Sequence, residues 1–136
     1  MKIVVDAYAW VEVFIGTEKG KKVRELLEGE NAIYTPSTVL AEIARKYLRE
    51  GIDSGTIAER LRAIADTAEI TQINIETAME AAQCYKTLLD NAKKEGLNNP
   101  SLFDAMVLAT ANLLRANVVT GDMHFKNLGM TYWIGK

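Results

Sequence analysis

Short apolar runs and amphipathic stretches alternate along the chain. The run at residues 2–6 (KIVVD) is β-branched and ends on an acid, as a buried parallel strand does. Four further runs predict strands: one at 32–35, one at 69–73, one of three or four residues within 117–122 that leads Asp122 into a turn, and one at 130–134. Apolar residues at helical spacing, most of them in stretches bounded by proline or glycine, predict helices over 17–30, 36–51, 53–68, 73–96 and 100–116.

This order of elements predicts an α/β fold. Strands that alternate with helices through short connections form a central, mostly parallel sheet with helices on both faces, which is a three-layer sandwich. The 136 residues contain no linker, repeat or low-complexity tract. A chain of this length buries about 68% of its unfolded surface, which is enough for one hydrophobic core. We therefore expect residues 1–136 to form a single domain.

Composition excludes several classes of protein. The chain reaches an acid at residue 6 and contains no run of about 20 apolar residues, so we expect neither a signal peptide nor a membrane span. A lone Cys84 predicts no intramolecular disulfide and no zinc site of the usual composition, which favours a reducing compartment such as the cytoplasm.

Charge and histidine content limit the chemistry. The net charge of −2 means that any nucleic-acid binding depends on local basic patches. A single histidine, His124, excludes mechanisms that need two imidazoles, and we expect it to be a turn residue without a further role. Acids or hydroxyl groups must therefore carry any catalysis.

Four acids occupy positions where a parallel sheet binds ligands. Asp6 and Asp122 end two apolar strands, and ligands bind beyond the carboxyl ends of strands in open α/β sheets. Asp104 follows the break at Pro100 within a very apolar helix, and Glu42 lies in a helix entered directly from a strand.

Each acid also has a local structural explanation. Asp6 is suited to cap the following helix, and Asp122 in TGD is suited to form a turn. Asp104 fits a capping box with Ser101. Glu42 is spaced for an ion pair with one of two cations on its own helix, Arg45 and Lys46.

Together the acids indicate a metal site. Several carboxylates at one edge of a sheet repel one another unless a cation neutralises them. All-oxygen ligands select hard ions such as Mg²⁺ or Mn²⁺, which engage phosphates and activate water. The pattern therefore predicts hydrolysis of a phosphodiester without a protein nucleophile.

The acids and their surroundings resemble a known family. Asp6 in VVDAYAW, Glu42 in TVLAEIARKY, Asp104 in SLFDAMVLATA and Asp122 in VVTGDMHF are similar in order and spacing to the acids of the PIN domain. In length and beginning, the chain resembles the archaeal and bacterial VapC-type toxins. The lead-in NNPSLFDA departs from that of many relatives, which affects substrate fit near Asp104.

The resemblance implies a Mg²⁺- or Mn²⁺-dependent endoribonuclease that forms a homodimer. It also implies a small cognate antitoxin that blocks the site and joins the toxin in binding operator DNA. By the same resemblance, Asp6 and Asp104 are direct metal ligands, while Glu42 and Asp122 act through water or on a second ion. Thr120, a hydroxyl residue before the last acid, then orients Asp6 or Asp122.

Three clusters of basic residues are candidates for contacts with the substrate. The second cluster, Arg45, Lys46 and Arg49, is favoured for RNA because it shares a helix with Glu42. The other two contain Lys19, Lys21, Lys22 and Arg24, and Lys93 and Lys94; a solvated helix face is the alternative for all three. The aromatic residues are expected to pack in the core or at an interface: Tyr8, Trp10, Phe14 and Tyr47.

Two other functions compete with this interpretation. A Mg²⁺-dependent phosphatase of the haloacid dehalogenase type expects a second aspartate two residues after the first, where this chain has Tyr8. A catalytically inert PIN-like module that binds RNA or protein keeps the fold without the chemistry. The presence of all four acids argues against the inert module.

Overall fold

Five parallel strands form the centre of the molecule. The computed structural model describes every residue from Met1 to Lys136. The strands lie in the order β3-β2-β1-β4-β5 and are bounded as follows: β1 Lys2–Val5, β2 Ala32–Pro36, β3 Glu69–Thr71, β4 Asn117–Thr120 and β5 Thr131–Trp133. The chain first adds β2 and β3 on one side of β1 and then β4 and β5 on the other side. The direction in which strands are added therefore reverses between β1 and β4. In open α/β sheets such a switch point opens a crevice for ligands.

Six α-helices flank this sheet. Their bounds are α1 Ala7–Ile15, α2 Glu18–Glu28, α3 Ser37–Arg49, α4 Ser54–Thr67, α5 Ile75–Glu95 and α6 Leu102–Leu114, with one 3₁₀ turn at Met123–Phe125. Helix α5 packs against α6, α1 against α2, and α3 against α4. The predicted α/β fold is confirmed, and the sheet that was expected to be mostly parallel is parallel throughout. None of the helices combines the length and the apolar character that a membrane crossing requires.

The central strands are the most deeply buried elements. Ile3, Val4 and Val5 in β1 and Val118 and Val119 in β4 are fully buried, because helices cover both faces of the sheet. Such strands carry continuous apolar runs with no polar alternation, which is why the sequence pattern identified them. Burial of these runs fixes the ends of β1 and β4, where Asp6 and Asp122 follow.

Helix boundaries follow the capping side chains. The side chains of Thr17, Asp53, Asn74 and Ser101 each accept a hydrogen bond from a backbone N–H in the first turn of α2, α4, α5 and α6. Helix α5 therefore begins at Ile75, whereas the sequence pattern predicted residue 73. Strand β3 closes at Thr71, where its pairing with β2 ends, and not at residue 73.

A buried hydrogen-bond chain joins α1 to the sheet. The indole Nε1 of Trp10 donates to Thr35 Oγ1 at 2.9 Å, and the Thr35 hydroxyl donates to the carbonyl oxygen of Val5 at 2.9 Å. Both side chains are buried, so every polar group in the chain needs its partner. The contact anchors α1 immediately after the strand that delivers Asp6.

Candidate active site

The four acids predicted from the sequence line one cleft. It has a volume of about 440 Å³ and opens at the carboxyl edge of the sheet. Asp6 follows β1 and Asp122 lies two residues after β4, and these strands are neighbours in the sheet. Glu42 reaches the cleft from the second turn of α3, and Asp104 from the first turn of α6. The cleft therefore lies at the switch point between β1 and β4.

The local roles foreseen for three of these acids are present as well. Asp6 Oδ1 accepts the N–H of Ala9 at 2.9 Å and caps α1. Asp104 and Ser101 form a reciprocal capping box at the start of α6. Asp122 Oδ1 accepts the N–H of His124 at 2.9 Å. These bonds hold each carboxylate in place without neutralising its charge.

Glu42 forms no ion pair with Arg45 or Lys46, the local explanation that helix spacing offered for it. Lys46 pairs instead with Glu50, with Nζ and Oε2 2.7 Å apart. Arg45 is close enough to lower the pKa of Glu42 electrostatically but is not within ion-pair distance. No lysine or arginine forms an ion pair with any of the four acids.

Burial and mutual repulsion raise the pKa values of three acids. Desolvation raises the pKa of Asp6 to about 8, and the charges of Asp122 and Asp104 add to the effect. Desolvation, together with the charge of Asp104, raises the pKa of Glu42 to about 7. The pKa of Asp104 rises as well, through desolvation and then the Asp122 charge. A cluster of carboxyl groups that resists ionisation is one that a divalent cation would stabilise.

The donor set fits a hard divalent ion. Asp104, Asp122 and His124 each offer one ligand atom within 4.8 Å of the others, and Asp6 and Glu42 line the same cleft. Carboxylate oxygens are the ligands that Mg²⁺ and Mn²⁺ prefer. Both ring nitrogens of His124 already face oxygen acceptors, so the acids supply the free ligand atoms.

Thr120 contacts two of the acids. Its Oγ1 accepts the backbone N–H of Asp122 at 2.9 Å, and its hydrogen bond to Asp6 lowers the pKa of that carboxyl group. Thr120 is fully buried at the end of β4. The side chain therefore links the ends of the two strands that lead to Asp6 and Asp122.

His124 has more contacts than the sequence suggested. Its Nδ1 lies 3.0 Å from Asp122 Oδ1, and its Nε2 lies 2.7 Å from the carbonyl oxygen of Asn98. Partial burial by itself would lower the pKa of His124, but the Asn98 carbonyl and the Asp122 carboxylate raise it overall. The ring thus joins the turn after β4 to the loop before α6, a contact that the sequence did not predict.

Only one of the three basic clusters lies at the cleft. Arg45, Lys46 and Arg49 line the cleft beside Glu42. Arg45 also stacks over Phe103, with the guanidinium carbon 5.6 Å from the ring centroid. The remaining basic residues named above lie outside this cleft: Lys19, Lys21, Lys22, Arg24, Lys93 and Lys94.

The aromatic residues mainly pack, as expected. Trp10 and Tyr47 belong to the buried core, and Phe14 stacks on Trp10 with ring centroids 6.4 Å apart. Tyr8 packs against the core too, and it also lines the cleft next to Asp6.

Solved structures of similar fold come from several bacteria. A toxin-antitoxin complex from Klebsiella pneumoniae matches with a TM-score of 0.72 at 19% identity, covering 98% of both chains. VapBC2 from Rickettsia felis, bound to a promoter DNA fragment, matches with a TM-score of 0.72 at 18% identity and 96% coverage of both chains. VapC20 from Mycobacterium tuberculosis, a toxin that cleaves the sarcin-ricin loop, matches with a TM-score of 0.70 at 18% identity, covering 95% of this chain and 96% of that one.

A comparison with curated proteins finds no match. The family model of the PIN domain matches residues 3–129, which include all four acids and nearly the whole described fold. The arrangement of the acids at the switch point agrees with the resemblance seen in the sequence. The chain belongs to the PIN domain family.

Proposed function

We propose that this protein is a Mg²⁺- or Mn²⁺-dependent endoribonuclease. The observation that carries the proposal is the convergence of Asp6, Glu42, Asp104 and Asp122 in one cleft, with no lysine or arginine paired to them. The raised pKa values of Asp6, Glu42 and Asp104 indicate a site that is electrostatically incomplete without a cation. Nucleases of this composition cleave phosphodiesters without a covalent intermediate.

In this proposal Asp6 and Asp104 hold the ion, and Glu42 and Asp122 act through water or on a second ion. A bound divalent ion supplies an activated water and neutralises charge on the phosphate. Asp6 and Asp104 are suited to this role because backbone N–H groups at the starts of α1 and α6 donate to their carboxylates and hold them in the cleft. The Thr120 hydroxyl holds Asp6 and Asp122 in position through its hydrogen bonds to both residues.

Arg45, Lys46 and Arg49 bind the RNA backbone in this proposal. Arg45 and Arg49 are exposed at the wall of the cleft, where a phosphate can reach them. Their charges offset the repulsion that the acids exert on an anionic substrate. In-line attack by water leaves a 5′-phosphate and a 3′-hydroxyl, and the ribose 2′-hydroxyl is not the nucleophile.

The same proposal assigns the protein to a toxin-antitoxin pair in the cytoplasm. The similarity to chains solved as toxin-antitoxin complexes supports a small cognate antitoxin that covers the cleft, with DNA bound only through the joint complex. Ile15 at the cleft wall is 67% exposed and offers an apolar contact for such a partner. Ile75 and Met79, one turn apart on α5 and strongly exposed, support a homodimer.

Cleavage of RNA by the purified protein tests the proposal. We expect fragments with 5′-phosphate ends in Mg²⁺ or Mn²⁺, no cleavage in EDTA, and no cleavage by a folded Asp6→Asn variant. Cleavage that persists in EDTA, or products with 2′,3′-cyclic phosphate ends, would contradict it. Metal binding without any cleavage of RNA would favour the inert binding module instead.

A phosphatase is less well supported. Tyr8 occupies the position where a phosphatase of the haloacid dehalogenase type needs its second aspartate, and its hydroxyl accepts a hydrogen bond from Lys19. The carboxyl group that would serve as general acid or base is therefore missing. Failure to trap a phospho-aspartate would support this exclusion.

A further inference from the structure

The pairing between β1 and β2 stops before either strand ends. The last residue pair in the register is Val4 with Tyr34, although β1 continues to Val5 and β2 continues to Pro36. Strand β2 keeps its other neighbour, since Pro36 still pairs with Thr71 of β3. The loss of pairing is therefore confined to the side of β2 that faces the end of β1.

Pro36 explains this loss. The Ala32 N–H donates to the carbonyl oxygen of Met1 at 2.9 Å, and the donors along one strand of a parallel ladder recur at every second residue. The same spacing brings position 36 opposite the carbonyl oxygen of Val5. Proline has no N–H group, so the backbone of β2 cannot donate to this carbonyl. Because Val5 is fully buried, its carbonyl oxygen needs a donor from elsewhere in the protein.

A side chain supplies that donor. The Thr35 hydroxyl donates to the carbonyl oxygen of Val5 at 2.9 Å, and the Trp10 indole Nε1 donates to the same hydroxyl at 2.9 Å. A hydroxyl group has a single proton, and acceptance of the indole N–H orients that proton towards Val5. Thr35 is 0% and Trp10 is 2% exposed, so solvent does not compete for these bonds.

The same bonds enclose Asp6. Its carbonyl oxygen accepts the backbone N–H of Trp10 at 3.1 Å, so Trp10 is bonded to Asp6 directly and, through Thr35, to the residue before it. Towards β4 the N–H of Asp6 has only a long bond of 3.5 Å, to the carbonyl oxygen of Val119. Thr35 therefore adds a short bond at the point where the backbone bond to β4 is long.

We infer that the Thr35 hydroxyl, held by the Trp10 indole, replaces the backbone donor that Pro36 lacks and thereby positions Asp6 for metal binding. This inference rests on the proposed function, in which Asp6 holds the ion, and adds two positioning residues to it. Neither Thr35 nor Trp10 lines the cleft. Both act through the backbone on either side of the Asp6 carboxylate.

A set of variants separates positioning from packing. Thr35→Val keeps the shape of the side chain and removes the hydroxyl, whereas Thr35→Ser keeps the hydroxyl. Thr35→Val combined with Pro36→Ala returns a backbone N–H to the position opposite Val5. The control is Thr77→Val, the same substitution at a buried threonine in the first turn of α5, whose hydroxyl donates to Asn74.

Two measurements report how firmly Asp6 is held. Titration calorimetry gives the affinity for Mn²⁺. Hydrogen exchange followed by NMR in EDTA gives the protection of the Ala9 amide, which donates to the Asp6 carboxylate. The amide of Leu88, fully buried in α5, reports global unfolding in the same spectra. The exchange measurement therefore needs no metal and separates local loosening from a general loss of stability.

We expect Thr35→Val to bind Mn²⁺ about tenfold more weakly and to exchange the Ala9 amide about tenfold faster relative to Leu88. Thr35→Ser and Thr77→Val stay within about twofold of the wild type in both measurements. In the double variant both values return to within about threefold of the wild type. Its resistance to urea does not return, because the Trp10 indole still lacks an acceptor.

Trp10→Phe tests the same arrangement if Thr35→Val does not fold. It removes the indole N–H and leaves the Thr35 hydroxyl free to turn away from Val5. We expect Mn²⁺ binding about threefold weaker and Ala9 exchange about threefold faster relative to Leu88. Wild-type values for Trp10→Phe in both measurements would overturn the inference.

Unchanged Mn²⁺ affinity and Ala9 exchange in Thr35→Val would also overturn it, and so would a loss that the added Pro36→Ala does not restore. The inference and the proposed function fail separately. A wild type that binds Mn²⁺ while Thr35→Val behaves like Thr77→Val refutes the inference alone. A wild type that binds no Mn²⁺, together with the expected exchange pattern in the variants, refutes the metal-dependent nuclease and leaves Thr35 as the residue that positions Asp6.

Discussion

The Nδ1 atom of His124 lies 3.0 Å from Asp122 Oδ1, while its Nε2 lies 2.7 Å from the carbonyl oxygen of Asn98. One ring thus joins an acid at the end of β4 to the loop that leads into α6, where Asp104 is located. Because both ring nitrogens face acceptors, the doubly protonated imidazolium satisfies both bonds. We therefore expect the histidine to position Asp122 and, through this loop, Asp104.

Replacement of His124 should loosen the acids it positions. We expect His124→Ala to weaken Mn²⁺ binding by about tenfold, the usual effect of removing a partner of a metal ligand. Titration calorimetry measures this change. Asn127→Ala, an exposed substitution in the same turn, serves as the control and should bind Mn²⁺ like the wild type. Equal affinities in His124→Ala and the control would show that the ring does not hold Asp122 in place.

The metal-free protein should lose stability as the pH rises. The pKa of Asp6 is about 8 in the fold, against 3.8 ordinarily, so the native state retains a proton that the unfolded chain has lost between these values. The free energy of unfolding therefore falls through this window, and Glu42 acts in the same direction up to its pKa of about 7. We expect the Tm in EDTA to fall by roughly 10 °C between pH 5 and pH 8.

A neutral side chain at position 6 should remove most of this dependence. Asn keeps the cap on Ala9 but cannot ionise. We therefore expect Asp6→Asn to be more stable than the wild type at pH 8 in EDTA, and nearly equal to it at pH 5. Thermal denaturation followed by circular dichroism measures both. A wild-type Tm that rises from pH 5 to pH 8 would contradict the raised pKa of Asp6, which follows from its burial next to other acids.

Several features of this site were predictable from the sequence. Asp6 and Asp122 stood out because each follows a β-branched run, and Ser101 with Asp104 had the spacing of a capping box. These patterns involve residues that are close together in the chain, so one sequence is enough to recognise them.

Contacts between distant segments were not predictable. Trp10 and Thr35 are 25 residues apart, and His124 and Asn98 are 26 apart. Their bonds depend on a sheet order that hydrophobic periodicity does not encode.

The partner of Lys46 illustrates a different limit. Glu42 and Glu50 both lie four residues from Lys46, one on each side, so helix spacing alone offers both pairs. In the structure the ammonium pairs with the exposed Glu50, while Glu42 faces the other acids in the cleft. The burial of Glu42 in the tertiary structure therefore decides which glutamate pairs with Lys46. Glu42 stays free of an ion pair and available for the site.

Gly20 should be essential for stability. A Cβ atom there would overlap the backbone carbonyl of Glu12, because α2 lies directly on α1. Backbone cannot move aside as a flexible side chain can, so we expect Gly20→Ala to cost about 3 kcal/mol in the free energy of unfolding. Gly55→Ala in the first turn of α4 is the matched control and should change it by less than about 1 kcal/mol. Urea denaturation compares the two, and similar midpoints would contradict this packing.

Removal of Arg45 should impair substrate binding more than removal of Lys46. Arg45 is exposed at the cleft wall and oriented by Phe103, whereas Lys46 is already paired with Glu50. We expect Arg45→Ala to raise the KM for RNA about tenfold with little change in kcat, and Lys46→Ala to raise it less than threefold. Initial-rate kinetics decides between them. A larger effect at Lys46 would contradict the view that its pairing with Glu50 keeps it from the RNA.

Titration of the protein with Mn²⁺ at pH 7.5, in buffers of different ionisation enthalpy, tests the metal centre most directly. We predict binding at the acid cluster with release of about one proton per ion, because Asp6 is largely protonated before the ion binds. Asp6→Asn should bind at least about tenfold more weakly and release almost no protons. Absence of Mn²⁺ binding, or binding whose heat is independent of buffer and unchanged in Asp6→Asn, would contradict a metal site built on these carboxylates.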